Sequence, residues 1–405
     1  MTEREFATDV VRRLQEAGHV ALFAGGCVRD ELLGLVPADH DVATDARPER
    51  VQALFRRTHA FGASFGVVEV IGPRDARGEW LKVQVATFRS DGTYTDGRRP
   101  DAVTFSSPEE DAARRDFTIN GLFADPISGR LWDFVGGEAD LRAKVLRAIG
   151  NPEERFAEDK LRIMRAVRMA ARFELTVDPA TFAAVKAMAG QIRVVSAERI
   201  AEELRKILTH PTAGRGVELL RESGLFAVLF PEVSHTPFLS FTALQNVGMP
   251  VSFPLAFAAV LDGVDGKTAT AIGRRLRLSN DELDRVAWLV AHRSALDAAA
   301  TTPNSRLYPL LVHPGIRELI GLHYHRGAVG GPGHCEGLLR DHPRETFNPL
   351  PLLTGDDLKA MGLKPGPQFK SWLDRLRALQ LDGELTTRSE AEEKIREWSG
   401  ADSGL

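Results

Sequence analysis

The sequence predicts an α/β domain at the N-terminal end followed by a long all-helical remainder. Three observations carry this. Short apolar runs of strand length recur through roughly the first 150 residues and then nearly vanish. From about Asn151 onward, apolar residues recur at helical spacing. The 405 residues, 43% hydrophobic and 27% charged, suffice for two to four ordinary globular cores, since one core rarely grows past about 250–300 residues.

In chain order, residues 10–14 read as helix, 20–24 as a short buried strand, 41–43 as a second strand and 48–55 as helix. Residues 65–71, 81–89 and 131–134 are further candidate strands. Ser90 to Ala113 is polar and aperiodic, and two Asp-Gly signals and Pro100 mark a loop. Loops of this length are usually functional or mobile. Helical spacing then runs through 161–171, 181–188 and 200–208, with Ser196 at an N-cap position. Ser279 and Glu282 form a capping-box pattern ahead of Leu283, Val286, Leu289 and Val290. Leu353-Thr354-Gly355-Asp356-Asp357 and Gly362-Leu363-Lys364-Pro365-Gly366-Pro367 punctuate a helical tail.

Composition narrows the function. No apolar run approaches the roughly 20 residues of a membrane span, and the charged start, Met1-Thr2-Glu3-Arg4-Glu5, carries no secretory pattern. Cys27 and Cys335 are too few for a disulfide framework or a zinc site, so a cytoplasmic protein is expected, with no obligate protein partner evident. The net charge of −4 argues against coating nucleic acid through bulk charge. It leaves room for a local basic groove, and Arg155 to Arg172 holds basic side chains with only Glu158 and Asp159 as acids.

Gly25-Gly26-Cys27-Val28-Arg29-Asp30, followed by Asp39-His40-Asp41, joins a glycine turn and an arginine suited to phosphate to a pair of carboxylates. Two glycines let the backbone approach a triphosphate, and a helix starting there presents amides to anions. Asp39 and Asp41, two apart on a strand, would point the same way and with nucleotide phosphates would ligate Mg²⁺. A lone Asp-x-Asp is more often a loop or a cap; in this combination it suggests nucleotidyl transfer. In Arg114-Arg115-Asp116-Phe117-Thr118-Ile119-Asn120, the arginines could bind a triphosphate or a nucleic-acid backbone and Asn120 a sugar hydroxyl; the plain alternative is a solvated charge run. Asp159, Arg162, Arg165 and Arg168 repeat every third residue on the expected helix, opposite Ile163, Ala166, Val167 and Ala170. That stripe is either an ordinary solvent face or a base reader. In the second case a carboxylate accepts from an exocyclic amine while a guanidinium donates to a ring nitrogen, which suits cytosine and adenine and rejects uracil and guanine.

In this order, Gly-Gly-x-Val-Arg-Asp, Asp39-x-Asp41, Arg-Arg-Asp-Phe-Thr-Ile-Asn and Arg-Phe-x-Glu-Asp-x-Leu-Arg-x-x-Arg-Ala-x-Arg resemble the bacterial tRNA nucleotidyltransferases. These are the class II CCA-adding enzymes of the polymerase-β superfamily, which include bacterial poly(A) polymerases. The resemblance implies a polymerase-β-type nucleotidyltransferase head (1–150), a nucleotide-selecting helical neck (151–215), a helical body (216–330) and a tRNA-binding helical tail (331–405). It implies that Asp39 and Asp41 bind two Mg²⁺ for an in-line nucleotidyl transfer, that Gly26 and Arg29 hold the triphosphate with Arg115 nearby, and that Asp159 and Arg162 template incoming CTP and ATP, supported by Arg165 and Arg168. The loop at 91–113 would be the family's flexible loop, and body and tail would grip tRNA.

Two departures stand out. Gln84, in Val83-Gln84-Val85-Ala86-Thr87-Phe88-Arg89, occupies the place of a family glutamate taken as a third active-site carboxylate. Ala258-Ala259-Val260-Leu261-Asp262-Gly263 lacks the histidine of the His-Asp pair some relatives carry, so no phosphohydrolase activity is expected; His235, His292 and His334 form no metal-ligand spacing. Alternatives to CCA addition are an A-adding enzyme, a poly(A) polymerase and a catalytically silent RNA-binding relative. The Phe61-Gly62-Ala63-Ser64-Phe65-Gly66-Val67 pattern favours CCA addition over the poly(A) reading.

Overall fold

In the computed structural model, which describes residues 1–60, 66–92, 102–233 and 251–401, a mixed seven-stranded sheet frames the N-terminal end. Helix α1 (Glu3–Glu16) opens with a capping box in which the Thr2 hydroxyl accepts the Glu5 N–H and the Glu5 carboxylate accepts the Thr2 N–H. β1 (Ala21–Ala24), α2 (Gly26–Leu32), β2 (Val42–Thr44), α3 (Pro48–Leu54), β3 (Thr58–His59), β4 (Val67–Arg74) and β5 (Trp80–Thr87) follow. β6 (Arg89–Asp91) and β7 (Val103–Phe105) form a separate ladder, and α4 (Pro108–Ala113) precedes β8 (Leu122–Ala124) and β9 (Leu131–Asp133). The sheet order is β3-β4-β5-β2-β1-β8-β9, with β2 and β5 its parallel pair. One face packs Phe23, Val42, Val68, Val83 and Val85 with Phe6, Val10 and Leu14 of α1; Leu22, Ala24, Ala43, Phe88 and Phe123 pack on the other.

The five expected strands occur, with shifted ends. The stretch 90–113 is not simply a loop: its flanks pair as β6 and β7, and Ser107 caps α4 by accepting the Glu110 N–H. Its centre, 93–101, lies outside the described residues, as do positions 61–65 and His235.

The same unit, Met1–Pro231, continues through α5 (Gly137–Arg142), α6 (Pro152–Glu158), α7 (Arg162–Arg172), α8 (Pro179–Met188), α9 (Ala197–Leu208), α10 (Ala213–Glu222) and α11 (Leu225–Leu229). The helix expected to carry Asp159 is broken there. Asp159 is extended (φ −138°, ψ 106°), and its carboxylate accepts the Leu161 N–H at 3.1 Å, a local bond that ends α6 and leads into α7. Only the arginines share one helix, and Ile163, Ala166, Val167 and Ala170 are buried beneath them as their spacing required. Ser196 precedes α9 in extended conformation but makes no side-chain capping bond.

The second unit, Glu232–Leu405, is helical, with no strand among its described residues. Ser279 with Glu282 and Thr354 with Asp357 form reciprocal capping boxes, and Pro367 opens the helix Pro367–Leu381. Leu353, Leu358, Leu376, Ile395 and Trp398 form a small core near its C-terminal end. Among the described residues no helix is long and apolar enough to cross a membrane.

Candidate active site

Asp39 and Asp41 lie on the extended approach to β2 rather than within it. The ladder nevertheless reaches Asp41, whose carbonyl accepts the Ala24 N–H at 3.0 Å. Alternation therefore sets the residues on two sides: Asp39 and Asp41 are exposed while His40 is 6% exposed. His40 is held from both neighbouring helices: its backbone N–H donates to Glu3 at 2.9 Å, and its Nε2 lies 3.4 Å from Glu31. Its ring also packs on Phe23.

Asp41 keeps solvent-accessible surface yet is crowded by protein atoms. Burial first, and then the Asp39 charge, push its carboxyl up to about 6, against the opposing pull of Arg115. Two carboxylates that resist ionising together are the donor set a hard divalent cation relieves, so these residues fit Mg²⁺. The register Val42↔Val85 carries Gln84 beside Asp41, on the same side of the sheet. Glu69 is the cross-strand partner of Gln84 and is ion-paired to Lys82 at 3.4 Å. Among the described residues no third His, Cys, Asp or Glu joins Asp39 and Asp41 in a metal-binding group.

Gly25, at the β1–α2 turn, has φ +70°, and a Cβ there would lie 2.6 Å from Arg115 Nη1. Glycine is required twice, by backbone conformation and by the arginine seated against it. From this turn opens a cavity of about 550 Å³, lined by Gly25, Gly26, Arg29, Asp39, Arg114, Arg115, Asp116, Asn120, Asp159, Arg162, Arg165, Arg168 and Met169. All but one of the expected site residues line it; Asp41 lies outside the lining.

The cavity is cationic, but its arginines do not project freely. Arg29 is 5% exposed, bonds Asp30 at 2.6 and 2.8 Å and Asn120 Oδ1 at 2.5 Å, and stacks on Phe173. Burial lowers its pKa from the usual arginine value. Asn120 also donates to Asp116, so its amide is engaged at both ends. Asp116 is buried and bonds Arg165 at 2.6 and 2.8 Å. Burial alone would raise its carboxyl; Arg165, Asn120 and Arg162 more than reverse this and hold it down at about 2. Arg114 and Arg115 converge on buried Asp111, at 2.6 and 3.0 Å, which removes the reading of them as a solvated charge run.

Asp159 and Arg162, the pair expected to read a base, are likewise engaged. Arg199 of α9 grips both oxygens of Asp159, at 3.2 and 2.8 Å. With the Leu161 bond, this occupies three of roughly four lone-pair directions and leaves one, on Oδ2. Arg162 donates to Glu158 at 2.5 Å and to the carbonyls of Arg155 and Arg114, leaving Nε and one hydrogen of Nη2. Arg168 pairs with Glu203 at 2.7 Å, both almost wholly buried. Asp111, Arg199 and Glu203 went unassigned in the sequence. Arg199 and Glu203 carry only ordinary helical spacing, and their partners lie 40 and 35 positions away.

A family model described as the poly A polymerase head domain matches residues 21–147, and one described as a probable RNA and SrmB-binding site of polymerase A matches residues 174–236. The CCA-adding enzyme of Geobacillus thermodenitrificans is 32% identical over 399 residues, covering 95% of this chain and 94% of that one. The crystal structure of the Bacillus stearothermophilus CCA-adding enzyme in complex with CTP is similar with a TM-score of 0.80 at 28% identity, covering 99% of this chain and 100% of that one. The Thermotoga maritima CCA-adding enzyme complexed with tRNA, at 22% identity and a TM-score of 0.68 over 96% of this chain and 94% of that one, shares the fold.

Proposed function

This chain belongs to the CCA-adding enzyme family, and we propose that it carries out that family's reaction. It adds C and A nucleotides to the 3′ end of tRNA from CTP and ATP, without a nucleic-acid template and with release of pyrophosphate. What supports this most is one cavity lined both by Asp39 beside the glycine turn and by Asp159 with Arg162.

Asp39 and Asp41 would hold Mg²⁺. Magnesium bound there supplies positive charge that lowers the pKa of the attacking 3′-hydroxyl and offsets charge on the departing pyrophosphate. Gly25 lets Arg115 seat against the turn, Gly26 lines the triphosphate end of the cleft, and Arg115 and Arg29 bring positive charge to it. At the other end, the remaining acceptor direction of Asp159 meets the exocyclic amine of cytosine or adenine, and the unengaged donors of Arg162 meet the adjacent ring acceptor. Uracil and guanine turn both groups the wrong way, and each group left unpaired beneath a bound base costs about 1–3 kcal/mol. Arg165 and Arg168 contribute through their carboxylate partners, which keep α7 in place. Asn120, bonded to Arg29 and Asp116, orders the triphosphate end in the same way.

We assign a head to 1–150, a neck to 151–215, a body to 216–330 and a tail to 331–405, with tRNA held by body and tail through shape and phosphate contacts. A cytoplasmic place accords with two buried free cysteines.

The test is incubation with tRNA lacking its 3′ CCA, giving CTP and ATP separately and together. Products ending in CCA are expected. Extension only of tRNA already ending in CC would identify an A-adding enzyme, long A tails a poly(A) polymerase, and no product a silent relative.

A further inference from the structure

The Glu232–Leu405 unit contains a second cavity of about 550 Å³, none of whose lining residues has been given a role above. Arg285, Arg317, Arg344 and one carboxylate, Glu318, stand on its wall. Glu318 is already engaged by Arg285 and by the Ser252 hydroxyl, so the unbalanced charge is that of Arg317 and Arg344. Arg317 is exposed and makes no hydrogen bond or ion pair among the described residues. Arg344 is exposed and donates once, to the Val312 carbonyl at 2.5 Å, so its other donors are available.

A fixed flat ring also lines the cavity. His313 stacks on Trp288 with centroids 3.7 Å apart and planes 12° apart. Its Nδ1 accepts the Gly315 N–H at 3.0 Å, so the neutral ring carries its proton on Nε2. Apolar side chains, Leu311 and Phe347 among them, close the rest of the wall.

We propose that this cleft binds a phosphoryl group carried on a planar ring, in other words one nucleotide unit. Two available guanidinium forks match a phosphate in shape and charge, and a stacked imidazole beside apolar carbon suits a base. The unit comes either from an RNA chain or from a free mononucleotide. The RNA source deepens the proposed reading that body and tail hold tRNA, and the free-mononucleotide source goes beyond it.

Full-length wild type, Arg317→Ala, Arg344→Ala, Arg344→Lys and the double alanine variant are titrated with two ligands. One is a tRNA transcript lacking CCA, at several salt concentrations; the other is AMP, with CTP saturating the first cleft. Thermal midpoint and the KM for CTP are read on the same preparations. The double variant is expected to lose about tenfold in affinity for one ligand, with Arg344→Lys, which keeps the charge but not the fork, between wild type and Arg344→Ala, and both controls unchanged. A loss confined to RNA, with a salt slope lower by about one to two, identifies an RNA backbone contact. A loss confined to AMP identifies a free nucleotide. Wild-type affinity for both ligands in the double variant overturns the proposal. A wild type that adds nothing to tRNA overturns the functional reading instead, and the titrations still decide this cleft.

Discussion

The Asp39–Asp41 edge and the cleft beside it handle charge in opposite ways. At the edge, two exposed carboxylates stand together and the ionised state is disfavoured, with Asp41 raised to about 6. In the cleft nearly every charge is answered within the protein: Arg29 by Asp30, Arg165 by Asp116, Arg168 by Glu203, Asp159 by Arg199. The edge is arranged to be completed by a cation. The cleft's side chains are paired beforehand, which fixes the direction of its few remaining donors and acceptors. On the proposed reading, electrostatic work and selection are divided between two adjoining regions.

Substitutions separate them. Asp41→Asn or Asp39→Asn should lower the rate of nucleotide addition by roughly 10³-fold, the scale of a lost electrostatic stabiliser, while binding of tRNA persists. Single-turnover rates beside filter binding would show this, and a joint loss of both would mean that the edge also supports the fold.

Glu203→Ala removes one half of a buried pair and should destabilise the N-terminal unit by about 3 kcal/mol. A denaturant midpoint unchanged from wild type would show that this buried pair does not matter. Arg199→Ala frees the Asp159 carboxylate and takes away a charged fork worth about 1.5–3 kcal/mol, so kcat/KM for CTP should fall at least tenfold with the Mg²⁺ requirement unmoved. A change in Mg²⁺ requirement would break the division between edge and cleft.

The smallest effects concern pH. Because the fold raises the Asp41 pKa from 3.8 to about 6, it favours the protonated form. Without metal, that contribution to stability is complete below pH 3.8 and is lost as pH rises through about 6. Metal must displace the same proton, so at limiting Mg²⁺ activity should decline below pH 6, up to about tenfold per unit. Asp39→Asn should shift the inflection downward. Gln84→Glu, which adds charge beside Asp41, should lower the Mg²⁺ needed for half-maximal rate severalfold. Superimposable Mg²⁺ curves for wild type and the Gln84→Glu variant would show that the amide suffices.

The sheet's main strands and the glycine turn after β1 were legible because apolar runs and turn residues are local signals. β3 and β8, two and three residues long, are too short to show periodicity. Placing Asp159 on a helix failed because a single side-chain bond to Leu161 outweighed three-residue spacing. The solvated alternative for Arg114 and Arg115 stayed open in the sequence, since nothing nearby reveals that Asp111 is buried. Arg199 and Glu203 were invisible for a related reason: ion pairs between helices leave no trace in either helix's own pattern.

The most direct test of this division is the ratio of kcat/KM for CTP to that for UTP, measured in wild type and in Asp159→Asn. An amide can donate as well as accept, so the ratio should fall at least tenfold while the Mg²⁺ dependence stays that of wild type. An unchanged ratio in an active Asp159→Asn enzyme would contradict the account, because the base would then be chosen somewhere other than at this carboxylate.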